Sequence, residues 1–218
     1  MKSISPERIL YADEYLLIVN KLAGELVVAA GGGGKLPLYD FLHQNYPGLR
    51  VVHRLDFGTS GVLVFAKNAE VLRVIREGKF SGWKKRYRMI VAGHMNERSG
   101  TIKKALPART KHELVDAVTH FKVLRTFPLA SYVETEIETG RKHQIRQHLA
   151  SIGHPLVLDP LYSDPRKDRA FKRAFKFRRF FLHAFSLDLP HPVTGKLLHV
   201  EAPLPPSFQE VLKKLEER

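Results

Sequence analysis

Cysteine is absent from the 218 residues. That excludes disulfide scaffolds, zinc ribbons and fingers, thiolate nucleophiles, and the zinc nucleobase deaminases that need cysteine ligands. Any catalysis must therefore use carboxylate, histidine, tyrosine, serine, lysine or arginine. Long apolar runs are missing too: none exceeds five residues, against the ~20 that a bilayer-crossing helix requires. The start Met1-Lys2-Ser3-Ile4-Ser5-Pro6 has no stretch resembling a secretory signal, so a cytoplasmic protein with no membrane partner is expected. Acids are scarce, 22 Asp and Glu against 36 Lys and Arg, which leaves a formal net charge of +14. With 44% hydrophobic and 10% aromatic residues the chain can bury a core, so the charge belongs to a folded surface. The length suits a single domain over residues 1–218. The charge balance points to a polyanionic partner, because a cation placed on a phosphate releases a condensed counterion. A solvated surface biased by proteome composition is the alternative.

Neither a repeat nor a long Pro/Ser linker divides the chain. Residues 9–21 read as two short strands joined at Asp13-Glu14. Gly31 to Gly34 before Lys35 suggest a phosphate loop, but that pattern needs Gly at Ala29 and a hydroxyl at Leu36, so a flexible loop is expected. Val62 to Ala66 read as a buried strand, and Glu70 to Glu77 as a helix that stops at Gly78. From Tyr132 to Thr139 the residues alternate, with Val133, Thr135, Ile137 and Thr139 on one face and Glu134, Glu136 and Glu138 on the other. Past Gly140 the period changes to that of a helix seamed by Ile145, Leu149 and Ile152 and ended by Gly153. Residues 166–179 hold eight cations, among them Lys172, Arg173 and Lys176, against the single Asp168. They are either a phosphate-contacting stripe or a solvated helix whose phenylalanines 171, 175 and 177 face the core. Phe208, Val211, Leu212 and Leu215 mark a packing helix.

Two clusters can carry chemistry. In His53-Arg54-Leu55-Asp56-Phe57-Gly58-Thr59-Ser60-Gly61 a carboxylate precedes a Gly/Thr/Ser turn between two apolar pairs. Asp56 is there either a catalytic group at the mouth of a strand pair or an Asx-turn former. In Gly140-Arg141-Lys142-His143-Gln144-Ile145-Arg146-Gln147-His148, His143 and Arg146 lie three apart on a helix, away from its apolar seam. Arg146 can clamp a carboxylate bidentately, or it can sit on a merely polar face. A helical zinc pair needs histidines four apart around a Glu; His143 and His148 are five apart with none between, so no metal is expected.

The first cluster, continued through Val62-Leu63-Val64-Phe65-Ala66-Lys67, closely resembles the catalytic motif of the RluA-type pseudouridine synthases. The second, continued through Leu149-Ala150 to Gly153-His154-Pro155, resembles their second motif. Lys21-Leu22-Ala23-Gly24, Lys84 to Tyr87 before Met89-Ile90-Val91, Leu182-His183-Ala184 and His191-Pro192 extend the likeness from about residue 10 to residue 205. Leu22 stands for a common proline, Lys142 for a common threonine and Leu158 for a frequent glycine. The small N-terminal RNA-binding domain that many relatives carry is not expected in these 218 residues, so target choice is expected to rest on the catalytic domain.

The resemblance implies an α+β fold: a bent, mostly antiparallel mixed sheet with flanking helices. It also implies an isomerase that turns uridines of structured RNA, ribosomal or transfer, into pseudouridine. Asp56 becomes the catalytic carboxylate that meets the electron-poor sugar, and Arg146 the cation that pairs with it and keeps it ionised. Tyr87 becomes the group stacked on the ring and the candidate base at carbon five. Arg54 fills the space of the flipped nucleotide, and Leu182 lines the uracil pocket. His53, Arg141, Lys142 and His143, with Lys172, Arg173 and Lys176, are expected as RNA contacts. No cofactor is called for. A non-catalytic RNA binder on the same fold needs none of Asp56, Tyr87 and Arg146, while a metal-dependent nuclease built on Asp56 and the histidines would lose activity to a chelator to which the isomerase is indifferent.

Overall fold

The computed structural model describes residues 4–29, 36–108 and 113–217. The glycine run 31–34 lies outside them. The strands, in chain order, are β1 (Ile9–Ala12), β2 (Leu16–Lys21), β3 (Arg50–Val51), β4 (Ser60–Ala66), β5 (Lys84–Ala92), β6 (Ser99–Lys103), β7 (Leu106–Pro107), β8 (Leu114–Val115), β9 (Val118–Thr126), β10 (Ala130–Ile137), β11 (Leu182–Pro190) and β12 (Leu197–Glu201). The helices are α1 (Leu38–His43), α2 (Ala69–Glu77), α3 (Gln144–Ser151), α4 (Pro165–Phe175) and α5 (Pro206–Glu216). The fold is thus α+β, as the resemblance implies. Among the described residues no helix is long and apolar enough to cross a membrane. Contacts divide the chain into two compact units, Met1–Lys84 with Ala184–Pro203, and Lys85–His183 with Leu204–Arg218.

In the first unit the strand order is β1-β2-β4-β11, with β3 also on β4 and β12 on β11. The pairs β1/β2, β2/β4, β3/β4 and β11/β12 are antiparallel. All seven residues of β4 are buried because both faces are covered. Val62, Val64 and Ala66 join Val71 and Ile75 of α2 in one core, while Leu63 and Phe65 join Leu38 and Leu42 of α1 in another. The Asn68 side chain caps α2 by accepting the Val71 N–H at 2.8 Å, and Gly78 ends the helix. Gly61 has φ +109, and a Cβ there would lie 2.2 Å from the Ala184 carbonyl oxygen, so only glycine lets β4 pass this close.

In the second unit the order is β5-β10-β9-β6, with antiparallel registers throughout. The alternation read in β10 holds: Val133, Thr135 and Ile137 are buried. The outward glutamates meet cross-strand cations, Arg88 Nε to Glu134 and Arg86 Nε to Glu136, each at 2.9 Å. Ile145 and Leu149 of α3 pack on this sheet in a core with Met89, Val91, Val133, Ile137 and Leu182. Ile152, expected as the third residue of that seam, instead lies beyond the last helical residue and is 39% exposed. The helix ends one residue short of completing its second turn of contacts, and Gly153, at φ +84, turns the chain away.

Candidate active site

Asp56 sits on the turn between β3 and β4, half-buried. The turn is closed by main chain: the Thr59 N–H donates to the Asp56 carbonyl at 3.0 Å. Lys21, at the end of β2, is completely buried and grips the same turn. Its Nζ faces the carbonyls of Thr59 (2.6 Å), Leu22 (3.1 Å), Asp56 (3.2 Å) and Phe57 (3.4 Å). Burial pushes the Lys21 ammonium down to about 8, a shift partly opposed by the negative charges of Glu25 and Asp56. Gly24 adds a backbone N–H to the Phe57 carbonyl at 2.7 Å. The Lys21 to Gly24 segment thus works as a buttress for the Asp56 turn, a role that motif matching alone does not reveal.

Around this turn Arg54 and Phe57 point to solvent, Phe57 with 59% of its surface exposed. His53 does not: its Nε2 accepts the Val64 N–H at 3.2 Å, and its ring stands edge-on to Trp83 at 6.0 Å. With Nε2 accepting, the neutral imidazole carries its proton on Nδ1.

In the second unit, Tyr87 lies on β5 opposite Thr135 of β10, and packs against the core cluster that contains the buried Leu182. Arg146 is on α3. It is 4% exposed, which overturns the solvated-face alternative. Nε and Nη2 fork onto the Asp159 carboxylate at 2.6 and 2.7 Å. His143 is not on the helix with Arg146, as the spacing argument expected. It is the N-cap, at φ +53, so the three-residue face relation does not apply. Its Nδ1 is hydrogen-bonded to the Tyr162 hydroxyl at 3.0 Å. Gln144, buried at the first turn, anchors this helix start: its Oε1 accepts from the Thr139 hydroxyl (2.7 Å) and the Arg141 N–H (3.1 Å), and its Nε2 donates to the Val118 carbonyl (2.9 Å). Arg141 and Lys142 are consequently held on an exposed, fixed turn.

Lys172 and Arg173 of α4 and Lys176 at its C-cap are exposed, as are the other five cations of residues 166–179, while Phe171 and Phe175 are buried. The two readings of that stretch are therefore compatible: one face packs, the other carries charge. Among the described residues no group of three or more His, Asp or Glu is placed to hold a metal ion.

A profile of the RNA pseudouridylate synthase family matches residues 15–151. The ribosomal large subunit pseudouridine synthase D of Buchnera aphidicola subsp. Acyrthosiphon pisum (strain APS) is 38% identical over 232 residues, covering 95% of this chain and 73% of that protein. The ribosomal large subunit pseudouridine synthase C of Escherichia coli (strain K12) is 34% identical over 222 residues, covering 95% and 69%. Among solved structures, human RNA pseudouridylate synthase domain containing 1 superposes with a TM-score of 0.74 at 25% identity, covering 100% of this chain and 98% of that one. Human RNA pseudouridylate synthase domain containing 4 gives 0.79 at 24% identity, covering 95% and 92%, and shows the shared fold. The chain belongs to the RNA pseudouridylate synthase family, within its RluA-type branch, and its class of chemistry is isomerisation.

Proposed function

We propose that this protein isomerises uridines in large-subunit ribosomal RNA, with Asp56 as the catalytic carboxylate and Tyr87 and Arg146 in the other two roles that the motif resemblance implies. In that reaction the bond from ribose C1′ to N1 of uracil breaks and one from C1′ to C5 forms. C5 loses its proton and N1 gains one, so no water, oxidant or cofactor is consumed. A single carboxylate suffices at the sugar, whereas hydrolysis of the same bond would call for a second acid to handle water. The observation that carries the reading is the Lys21 clamp on the Asp56 turn. Burying an ammonium is costly, and this one directs its donors at the Thr59, Asp56 and Phe57 carbonyls of the turn and at the carbonyl of its own neighbour Leu22. An ordinary surface turn needs no such fixing; a carboxylate that must meet a reacting carbon does.

The ribosomal target is favoured by relatives named as ribosomal large subunit enzymes, and the exposed cations of residues 166–179 suit a phosphate backbone. The test is a pseudouridine map of host ribosomal and transfer RNA with and without the gene. One or more large-subunit uridines should lose their modification when the gene is removed. An unchanged map contradicts the activity, and losses confined to transfer RNA contradict the target.

A further inference from the structure

Arg146 is gripped by the carboxylate of Asp159, which directly follows the Leu158 position where relatives often have glycine and to which the resemblance gives no role. Both charges are out of solvent, Arg146 at 4% exposure and Asp159 at 1%. The guanidinium also lies over two rings, with its carbon 4.8 Å from the centroid of Phe180 and 5.1 Å from that of Tyr162. The fork on Nε and Nη2 stops rotation of the guanidinium plane, and the rings prevent it from tilting.

Asp159 is itself held on every side. Its Oδ1 also accepts the Leu161 N–H at 3.0 Å, its N–H donates to the Leu156 carbonyl at 3.3 Å, and its carbonyl accepts the Ser163 N–H at 3.2 Å. Leu158 just before it adopts φ +63, a left-handed conformation at the position where relatives often have glycine. That conformation is secured from α4: the Asp168 Oδ1 accepts the Leu158 N–H at 2.7 Å, and Asp168 also accepts the Ser163 hydroxyl. The one acid among the eight cations of residues 166–179 is thus spent on the loop that carries Asp159.

A fold alone does not require this arrangement, because a buried ion pair is often replaceable by apolar residues at no cost in stability. We propose that Asp159 is the positioning residue of the isomerisation: through its bidentate fork it sets the plane of Arg146 and so determines how that cation serves the reaction. This rests on the reading of Arg146 as a reaction group. Asp159 touches no substrate and acts only through the arginine.

The experiment is a double-mutant cycle read by steady-state tritium release, at varied concentrations of a stem-loop RNA labelled at uridine C5. Asp159→Asn in the otherwise unaltered protein should lower kcat by about 100-fold, the usual cost of a misplaced group, with KM held within about threefold. Once Arg146 is removed, Asp159 has nothing left to position. Arg146→Ala and the double variant Arg146→Ala/Asp159→Asn should therefore have rates within about threefold of each other. If Asp159→Asn does not fold, the cycle is run with Asp159→Glu, which keeps the charge and displaces the fork. Additive losses, or an Asp159 variant with unchanged kcat, overturn the proposal while leaving the isomerase reading intact. A parent protein that releases no tritium overturns both.

Discussion

The Lys21 Nζ donates to the Thr59 carbonyl at 2.6 Å, and this contact ties the end of β2 to the turn on which Asp56 sits, 35 residues further along. Strand and turn meet because β2 and β4 pair from Leu16 opposite Ala66 to Lys21 opposite Gly61. The register delivers the lysine to the mouth of β4.

That buried ammonium gives stability a specific dependence on pH. Lys21 titrates near 8 in the folded protein against 10.5 in the unfolded chain. Below pH 8 both states are protonated and the burial cost is present in full. Between 8 and 10.5 the unfolded chain holds the extra proton, so the native state gains relative stability as pH rises. In urea titrations the stability of the parent minus that of Lys21→Met should climb by about 1.4 kcal/mol per pH unit through this window. A difference that stays flat would show that Lys21 is not buried as a cation.

Gly61→Ala should destabilise the first unit by at least about 2 kcal/mol, since it combines a left-handed φ with a carbonyl inside contact distance. Denaturant melts check this. An unchanged midpoint would mean that β4 and β11 are further apart than described.

The charged face of α4 and its C-cap should appear in the salt dependence of RNA binding. Converting Lys172, Arg173 and Lys176 to Glu should flatten the slope of log affinity against log salt by about 2 to 3, from roughly 0.7 to 0.9 per phosphate contact. If slope and affinity persist while the fold is intact, these cations only solvate the helix.

Arg54 is exposed beside Asp56, so Arg54→Ala should change stability by no more than about 0.5 kcal/mol. Its effect belongs to nucleotide extrusion, which costs a few kcal/mol in a paired stem and little in a loose strand. The rate on a structured stem-loop should fall more than the rate on an unstructured oligonucleotide. Equal losses on both contradict the flipping role.

What the sequence disclosed of this fold was whatever depends on neighbours in the chain. The buried strand at 62–66, the alternation of β10, the Gly78 stop and the paired phenylalanines of α4 all follow from local period and composition. His143 and Ile152 were misplaced because helix ends are set by capping: His143 takes a left-handed N-cap conformation, and its neighbour Gln144 carries the bonds to Val118 and Thr139. What Lys21 and Asp159 do was not legible for a different reason, although Lys21 opens a matched segment and Asp159 follows the matched Leu158 position. Lys21 closes an apolar run as any strand-ending lysine does, and Asp159 sits thirteen residues from its arginine in no recognisable spacing. Their roles exist only once the chain has folded.

The most direct test is Asp56→Asn. The amide preserves shape, and the turn is closed by the Asp56 main-chain carbonyl, which the substitution leaves in place. Fold and RNA affinity should therefore survive while the group that meets the sugar is lost. Measured by tritium release from RNA labelled at uridine C5, the variant should show no isomerisation. Release at a near-normal rate would contradict Asp56 as the catalytic carboxylate.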